Sequence, residues 1–102
     1  MKTIHKYQVP VMDSFQLHLP KVAVILSFQC QNGVLCVWAI VETEHINEDR
    51  KFRLYGTGHQ IADIPKDADL HYIGTAQQNQ MTSQIGPISP IVWHLFEEVK
   101  DG

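Results

Sequence analysis

The chain has 102 residues, of which 44% are hydrophobic and 19% are charged, and its formal net charge is −3. This length fits one domain that buries a single core without help from a metal or a disulfide. The slightly acidic balance argues against broad nucleic-acid binding, which needs a basic surface, and no apolar run is long enough to span a bilayer.

Two short strands are predicted at the start of the chain. Residues 3–9 are polar on average, which indicates a strand near a sheet edge that ends at Pro10, because proline has no ladder donor. Residues 15–19 alternate between apolar and polar side chains, as a half-buried strand does. The side chains expected to face the core are Phe15, Leu17 and Leu19.

The strongest signal in the sequence is a hairpin over residues 22–42. Its turn is Asn32-Gly33, a dipeptide that tolerates the positive φ angles of a two-residue type I′ turn. With that turn, Gln31 pairs with Val34, and strict alternation sets the rest of the register. One face is then entirely apolar and should be core: Val24, Leu26, Phe28, Cys30, Leu35, Val37, Ala39 and Val41.

The same register makes three further predictions about the hairpin. It pairs Leu26 with Ala39, and it places Cys30 and Cys36 on opposite faces, so both cysteines should be free thiols. Free thiols, and an N-terminus without the apolar core of a signal peptide, are typical of a cytoplasmic protein. Trp38 lies on the second, mixed face, either as an extra packing layer or as the floor of a pocket.

Three more strands are predicted after the hairpin. Residues 50–55 and 71–76 alternate as strands do, and residues 62–69 should form a loop or a single helical turn between them. Residues 91–99 fit a strand or a short helix, and their β-branched and aromatic start favours the strand. The polar, uncharged stretch 77–90 is a flexible loop in this interpretation.

These elements predict an all-β fold with at most one short helix. Five to seven short strands separated by prolines indicate a small antiparallel β-sandwich or a partly open barrel, formed by a single domain over residues 1–102. Sheet edges in such a domain must be paired, covered or charged. We therefore expect a homodimer or a larger symmetric oligomer.

The candidate site is the glycine-containing loop 56–59, which directly follows the strand 50–55. Glycines let backbone N–H groups approach an anion, but Ile61 stands where the dinucleotide fingerprint needs a third glycine. Alternation places the basic and aromatic side chains of the strand on its non-core face, where Arg can bind phosphate and Tyr can stack on a base. The alternative is a tight turn beside a solvated face. The candidate ligand-binding residues are Trp38, Lys51, Arg53, Tyr55, Gly56, Thr57, Gly58 and His59.

No pattern in the sequence indicates catalysis. The six histidines lack the spacing of a zinc site, and no serine has the context of a nucleophile elbow. The acidic residues gather in turns and near the C-terminus, as they do on solvated surfaces. We expect neither an enzyme nor a bound metal or cofactor.

Seven segments carry a family resemblance that covers nearly the whole chain: residues 3–7, 19–20, 29–33, 38–39, 56–59, 72–75 and 93–97. Together they resemble a family of small, uncharacterised phage and prophage proteins. The resemblance implies a dispensable protein in the host bacterial cytoplasm, and such proteins often look like counter-defence factors.

The resemblance leaves three functions open. One is a sponge that withholds a small nucleotide-derived immune signal, for which Trp38, Arg53, Tyr55 and His59 offer an aromatic and basic pocket. Another is an inhibitor that covers a host defence complex, as anti-CRISPR proteins do, and the third is a structural accessory. Inhibitors that mimic nucleic acid are strongly acidic, and a net charge of −3 is not, so the sequence favours small-ligand binding.

Overall fold

The computed structural model describes residues 1–79 and 90–100, which form seven strands and no helix. The all-β prediction is confirmed, and so is the choice of a strand for residues 91–99. Within the described part of the chain, no helix is long and apolar enough to cross a membrane. The strands are β1 (Lys2–Gln8), β2 (Ser14–Pro20), β3 (Val24–Gln31), β4 (Val34–Glu42), β5 (Asn47–Gly56), β6 (Ala68–Gln78) and β7 (Ile91–Lys100).

The strands form two antiparallel sheets that pack as a small β-sandwich and do not close into a barrel. One sheet has three strands in the order β1-β4-β3, and the other has four in the order β2-β5-β7-β6. The predicted position of β1 at a sheet edge is confirmed. In the larger sheet, β7 lies between β5 and β6, so the C-terminal strand completes the surface on which the candidate site lies.

The core lies between the sheets and follows the alternation of the strands. β2 buries its apolar side chains as predicted, and β5 and β7 each bury alternate residues. The largest fully buried side chains are Phe52, Leu19, Leu35, Leu54, Leu95, Val37, Val41 and Cys36.

 The buried set includes Leu95 of β7, whose side chain is fully enclosed between the sheets. Burial of this apolar surface is the main force that holds the two sheets together.

The turn of the central hairpin is confirmed. Asn32 and Gly33 both have positive φ angles, 51° and 80°, as the two central residues of a type I′ turn require. Next to the turn the strands pair in the predicted register, with Gln31 opposite Val34 and Phe28 opposite Val37. The local turn chemistry therefore sets the pairing over the half of the hairpin nearest to it.

The predicted register is wrong farther from the turn, because β3 contains a β-bulge at Leu26. The pairing shifts between Ile25 and Ser27, so Ala39 lies opposite Ile25 and not opposite Leu26. One extra residue reverses the face of each β3 side chain that lies beyond the bulge from the turn. As a result Leu26 and Val24, both predicted in the core, are exposed, and Ile25 packs against the core in their place.

Two other predictions about the chain have clear outcomes. Cys30 and Cys36 are both free, as the register required. The proposed loop 77–90 begins too early, because Gln77 and Gln78 are the last residues of β6. The central part of that predicted loop, residues 80–89, lies outside the described residues.

Candidate functional site

The candidate site is a cleft on the outer face of the four-stranded sheet. It consists of two adjoining cavities of about 420 and 500 Å³ that share Ser14 of β2 and Arg53 of β5. The loop 57–67, which joins β5 to β6, forms one wall through His59, Gln60, Ala62 and Asp63. We call these two cavities the Arg53 cleft. Their size is that of small-ligand pockets.

The structure brings four of the eight predicted site residues to this cleft. Lys51 and Arg53 line one cavity, and Arg53, Tyr55 and His59 line the other. Trp38 is not among the residues that surround the cleft. It is half-buried on β4, in the three-stranded sheet, and its neighbours along the strand point into the core.

Arg53 is held in the cleft by two contacts. Its Nε donates to Oε1 of Glu98 on β7 at 2.8 Å, and its Nη2 donates to the carbonyl of Asp63 at 3.1 Å. Burial works to lower the pKa of Arg53, but the hydrogen bond and the charge of Glu98 outweigh burial, so the pKa lies above its usual value. Arg53 is thus a permanent cation whose counter-ion comes from the protein itself.

Tyr55 carries an unusual hydroxyl group. The residue is only 6% exposed, and its ring meets the ring of Phe96 edge-on at 6.0 Å. Its Oη is buried and has no hydrogen-bond partner in the described part of the chain. Buried hydroxyls are nearly always paired, and Tyr55 is among the groups that raise the pKa of Arg53, so this enclosed hydroxyl lies close to the Arg53 guanidinium.

The loop after β5 is shaped by a close approach between Gly56 and His59. The Gly56 N–H donates to Nδ1 of His59 at 3.1 Å, and a Cβ at Gly56 would lie 2.8 Å from Cε1 of that ring. Only glycine leaves room for this contact. Because Nδ1 accepts a hydrogen bond, the neutral ring carries its proton on Nε2.

The backbone of this loop donates its hydrogen bonds within the protein. The Thr57 N–H donates to the Val92 carbonyl, and the His59 N–H donates to the Gly56 carbonyl. The Gly56 N–H is used by the His59 ring. The loop therefore offers side chains to the cleft, and these three amides do not form the anion-binding concavity expected of a phosphate loop.

A hydrogen-bonded chain of side chains lies beside the cleft on the same face. His94 of β7 contacts the Thr57 hydroxyl through Nε2 at 2.8 Å and the Thr75 hydroxyl through Nδ1 at 3.0 Å. The Thr75 hydroxyl in turn contacts the hydroxyl of Tyr72 at 2.6 Å. This chain ties β6 and β7 to the loop that borders the cleft.

Comparison with known proteins places the chain in a family. The model of a domain of unknown function, DUF7352, matches residues 1–102. The chain belongs to the DUF7352 family. No curated protein and no solved structure matches it. The DUF7352 match includes both sheets and the whole Arg53 cleft, and its description names no activity.

Several cleft residues of this DUF7352 domain escape prediction from the sequence. They come from three other parts of the chain: Asp13, Ser14, Asp63 and Glu98. The only usable signal was the alternation of β7, which puts Glu98 and Phe96 on one face. Glu98 and Phe96 lie close to Arg53 because β7 pairs with β5, and local sequence patterns do not encode that pairing.

The charges around the cleft are mixed. The lining residues include two cations, Lys51 and Arg53, and three acidic residues, Asp13, Asp63 and Glu98. Among the described residues, no group of three or more His, Cys, Asp or Glu side chains is arranged to hold a metal ion. The arrangement suits hydrogen bonding to a small polar ligand, with Arg53 as the strongest donor.

Proposed function

We propose that the Arg53 cleft binds a small anionic, nucleotide-like ligand and that the protein sequesters this ligand without turnover. The observation that carries the proposal is the cavity of about 500 Å³ that Arg53 lines together with Tyr55 and His59.

The anionic group of the ligand would bind by exchange with Glu98. Arg53 holds a single carboxylate oxygen through Nε, and a phosphate can engage the same guanidinium with two parallel hydrogen bonds. Lys51, exposed and in register with Glu98 across the strands, supplies a second cation. Ser14 and Nε2 of His59 are the further donors that the cleft offers.

This proposal extends to the biological setting that the family resemblance implies. In a phage-encoded protein acting in the host bacterial cytoplasm, such binding would withdraw a nucleotide-derived immune signal from its effector. We propose this counter-defence role, as a sponge, on the basis of the cleft and of the resemblance to phage and prophage proteins.

Replacing Arg53 with alanine should weaken binding of such a ligand roughly ten- to a hundredfold, because a charge-assisted hydrogen bond typically contributes ~1.5–3 kcal/mol. The measurement is titration calorimetry with cyclic nucleotides and ADP-ribose as probes. Lys6→Ala, which removes a cation from the other sheet, is the matched control and should bind as the wild type does. Glu98→Gln, which removes the competing charge, should bind more tightly.

Two results would contradict the proposal. One is that no probe binds the wild type below millimolar concentration. The other is that a probe binds and Arg53→Ala leaves its affinity unchanged. Recovery of the probe in a chemically altered form would retain the binding site and exclude simple sequestration.

A second surface favours protein contact. On the outer face of the three-stranded sheet, Ile4 and Val24 flank Ile40 in register, and both flanking side chains are exposed. Leu26, pushed outward by the bulge, extends this apolar strip. Contiguous exposed apolar side chains mark interaction sites, so we propose that the strip mediates a homodimer. It is also where a host protein would bind if the chain were an inhibitor of a defence complex.

The expected mass of the protein at high micromolar concentration is that of a dimer or a larger symmetric oligomer. Val24→Glu should shift it toward the monomer, because the variant buries a charge in the proposed interface. Lys21→Glu, also exposed and near the start of the same strand, is the control. Multi-angle light scattering checks both variants, and a monomeric wild type at that concentration would contradict self-association.

A further inference from the structure

We infer that Tyr72 and Phe96 form a stacking surface for the base of the ligand, next to the Arg53 cleft that takes its anionic group. The inference rests on the proposed function and names the part of the ligand that the cleft leaves unassigned. The ligand class is then a nucleotide with an intact aromatic base, as opposed to a sugar phosphate or a simple anion.

The sheet register aligns these side chains in one row. Phe96 of β7 pairs with Arg53 of β5 on one side and with Tyr72 of β6 on the other. Directly paired residues share a face, so all three side chains project from the outer face of the sheet. Two strand spacings separate Arg53 from Tyr72, or about 10 Å, a distance over which one nucleotide can touch both.

Tyr72 is exposed in an unusual way for an aromatic residue in the middle of a strand. Its exposed fraction is 62%, while its ring packs edge-on against Phe96 with centroids 5.6 Å apart. An edge-on pair leaves aromatic surface open to a third ring. Bases of every kind stack on such surfaces, since each base has a π-face.

The Tyr72 ring is also held in place. Its hydroxyl contacts the Thr75 hydroxyl at 2.6 Å, and Thr75 is fixed by His94, which contacts Thr57 at the edge of the cleft. A side chain that is already ordered loses less rotamer entropy when a ligand binds. The same chain of hydrogen bonds connects the stacking surface to the loop that walls the cleft.

The charges favour a single nucleotide over a long nucleic acid. Asp13, Asp63 and Glu98 lie around the cleft, and the net charge of the chain is −3. Tracking of a polyphosphate backbone needs a basic groove, whereas one anionic group needs only one cation that can exchange its partner. The row of Arg53, Phe96 and Tyr72 therefore suits a ligand with one base next to one anionic group.

The test compares probes with and without a base. Titration calorimetry of the wild type should show that AMP binds roughly 5- to 100-fold more tightly than ribose 5-phosphate, the range expected for one stacked base. Tyr72→Leu should remove most of this difference and leave the affinity for ribose 5-phosphate unchanged. Tyr72→Phe, which retains the ring, should keep most of it.

The outcomes separate this inference from the proposed function. Equal affinity for AMP and ribose 5-phosphate, or an AMP preference that survives Tyr72→Leu, overturns the stacking surface and leaves the anion cleft standing. If neither probe binds and no other nucleotide binds, both the stacking surface and the proposed function are overturned. Tighter binding of a ten-residue oligothymidylate than of AMP overturns the single-nucleotide class. Thermal melts confirm that the exposed-site variants remain folded.

Discussion

Phe28→Ala should lower the free energy of unfolding by about 3–5 kcal/mol, as truncation of a buried phenylalanine typically does. Phe28 is 4% exposed. A Cβ built at Gly74 of β6 would lie 3.3 Å from the Cβ of Phe28. The ring thus fills the contact between the edge strands of the two sheets. Since domains of this size are stable by only about 5–15 kcal/mol, the variant should lie close to unfolding.

Leu26→Ala is the matched control for this prediction. Leu26 lies two residues earlier on the same strand, and strict alternation would put it beside Phe28 in the core. The bulge leaves it 48% exposed, so its truncation should cost less than about 1 kcal/mol. Urea melts measure both variants, and similar losses at the two positions would show that the bulge is misplaced.

The second large effect is expected at Arg50. Its Nε and Nη2 form two hydrogen bonds to the carboxylate of Glu97 at 2.6 and 2.7 Å, and its Nη1 donates to the Ala23 carbonyl just before β3. The pair is largely buried, with 18% and 17% of the side chains exposed, and Arg50 ties it to the segment that leads into β3. Glu97→Gln should cost about 2–3 kcal/mol, because it leaves a buried cation without its counter-ion.

Two further variants decide whether pairing is the cause. The double variant Arg50→Met with Glu97→Leu should recover part of the loss, because it leaves no unpaired charge. Asp49→Asn breaks the exposed contact between Asp49 and His18 and should change stability by less than about 0.5 kcal/mol. Equal losses in Glu97→Gln and Asp49→Asn would contradict the role given to the buried pair.

The contribution of the Arg50–Glu97 pair to the free energy of unfolding should depend little on pH near neutrality. The hydrogen bonds that Arg50 donates to the Glu97 carboxylate raise the pKa of Arg50 above its usual value. A raised pKa means that the stabilisation is fully present below the unfolded-state pKa and is lost only as the pH rises through the folded-state pKa. For arginine that window lies in strong alkali.

The elements of this fold are largely local properties of the sequence. Alternation identified the inward side chains of β2, and the Asn32-Gly33 turn set the pairing of β3 with β4 near the hairpin end. Both signals act over a few residues and need no partner from elsewhere in the chain. The edge position of β1 followed in the same way from its polarity.

The bulge at Leu26 was not readable from the sequence. Residues 24–26 are all apolar, so the pattern does not say which of them faces inward, and alternation without an interruption was the simplest prediction. Packing decides between Ile25 and Leu26: Ile25 lies against the core and Leu26 is exposed, and this choice depends on the whole sandwich. Uninterrupted alternation therefore predicted Val24 and Leu26 in the core, whereas both are exposed.

The candidate site shows the same division. Alternation along β5 is enough to place Lys51, Arg53 and Tyr55 on the non-core face of one strand. The neighbours of these side chains depend on strand pairing: β7 pairs with β5 and brings Glu98 to Arg53, while the adjacent Glu97 turns inward to Arg50. Strand order is a long-range choice made by the packing of whole sheets, and local patterns carry no record of it.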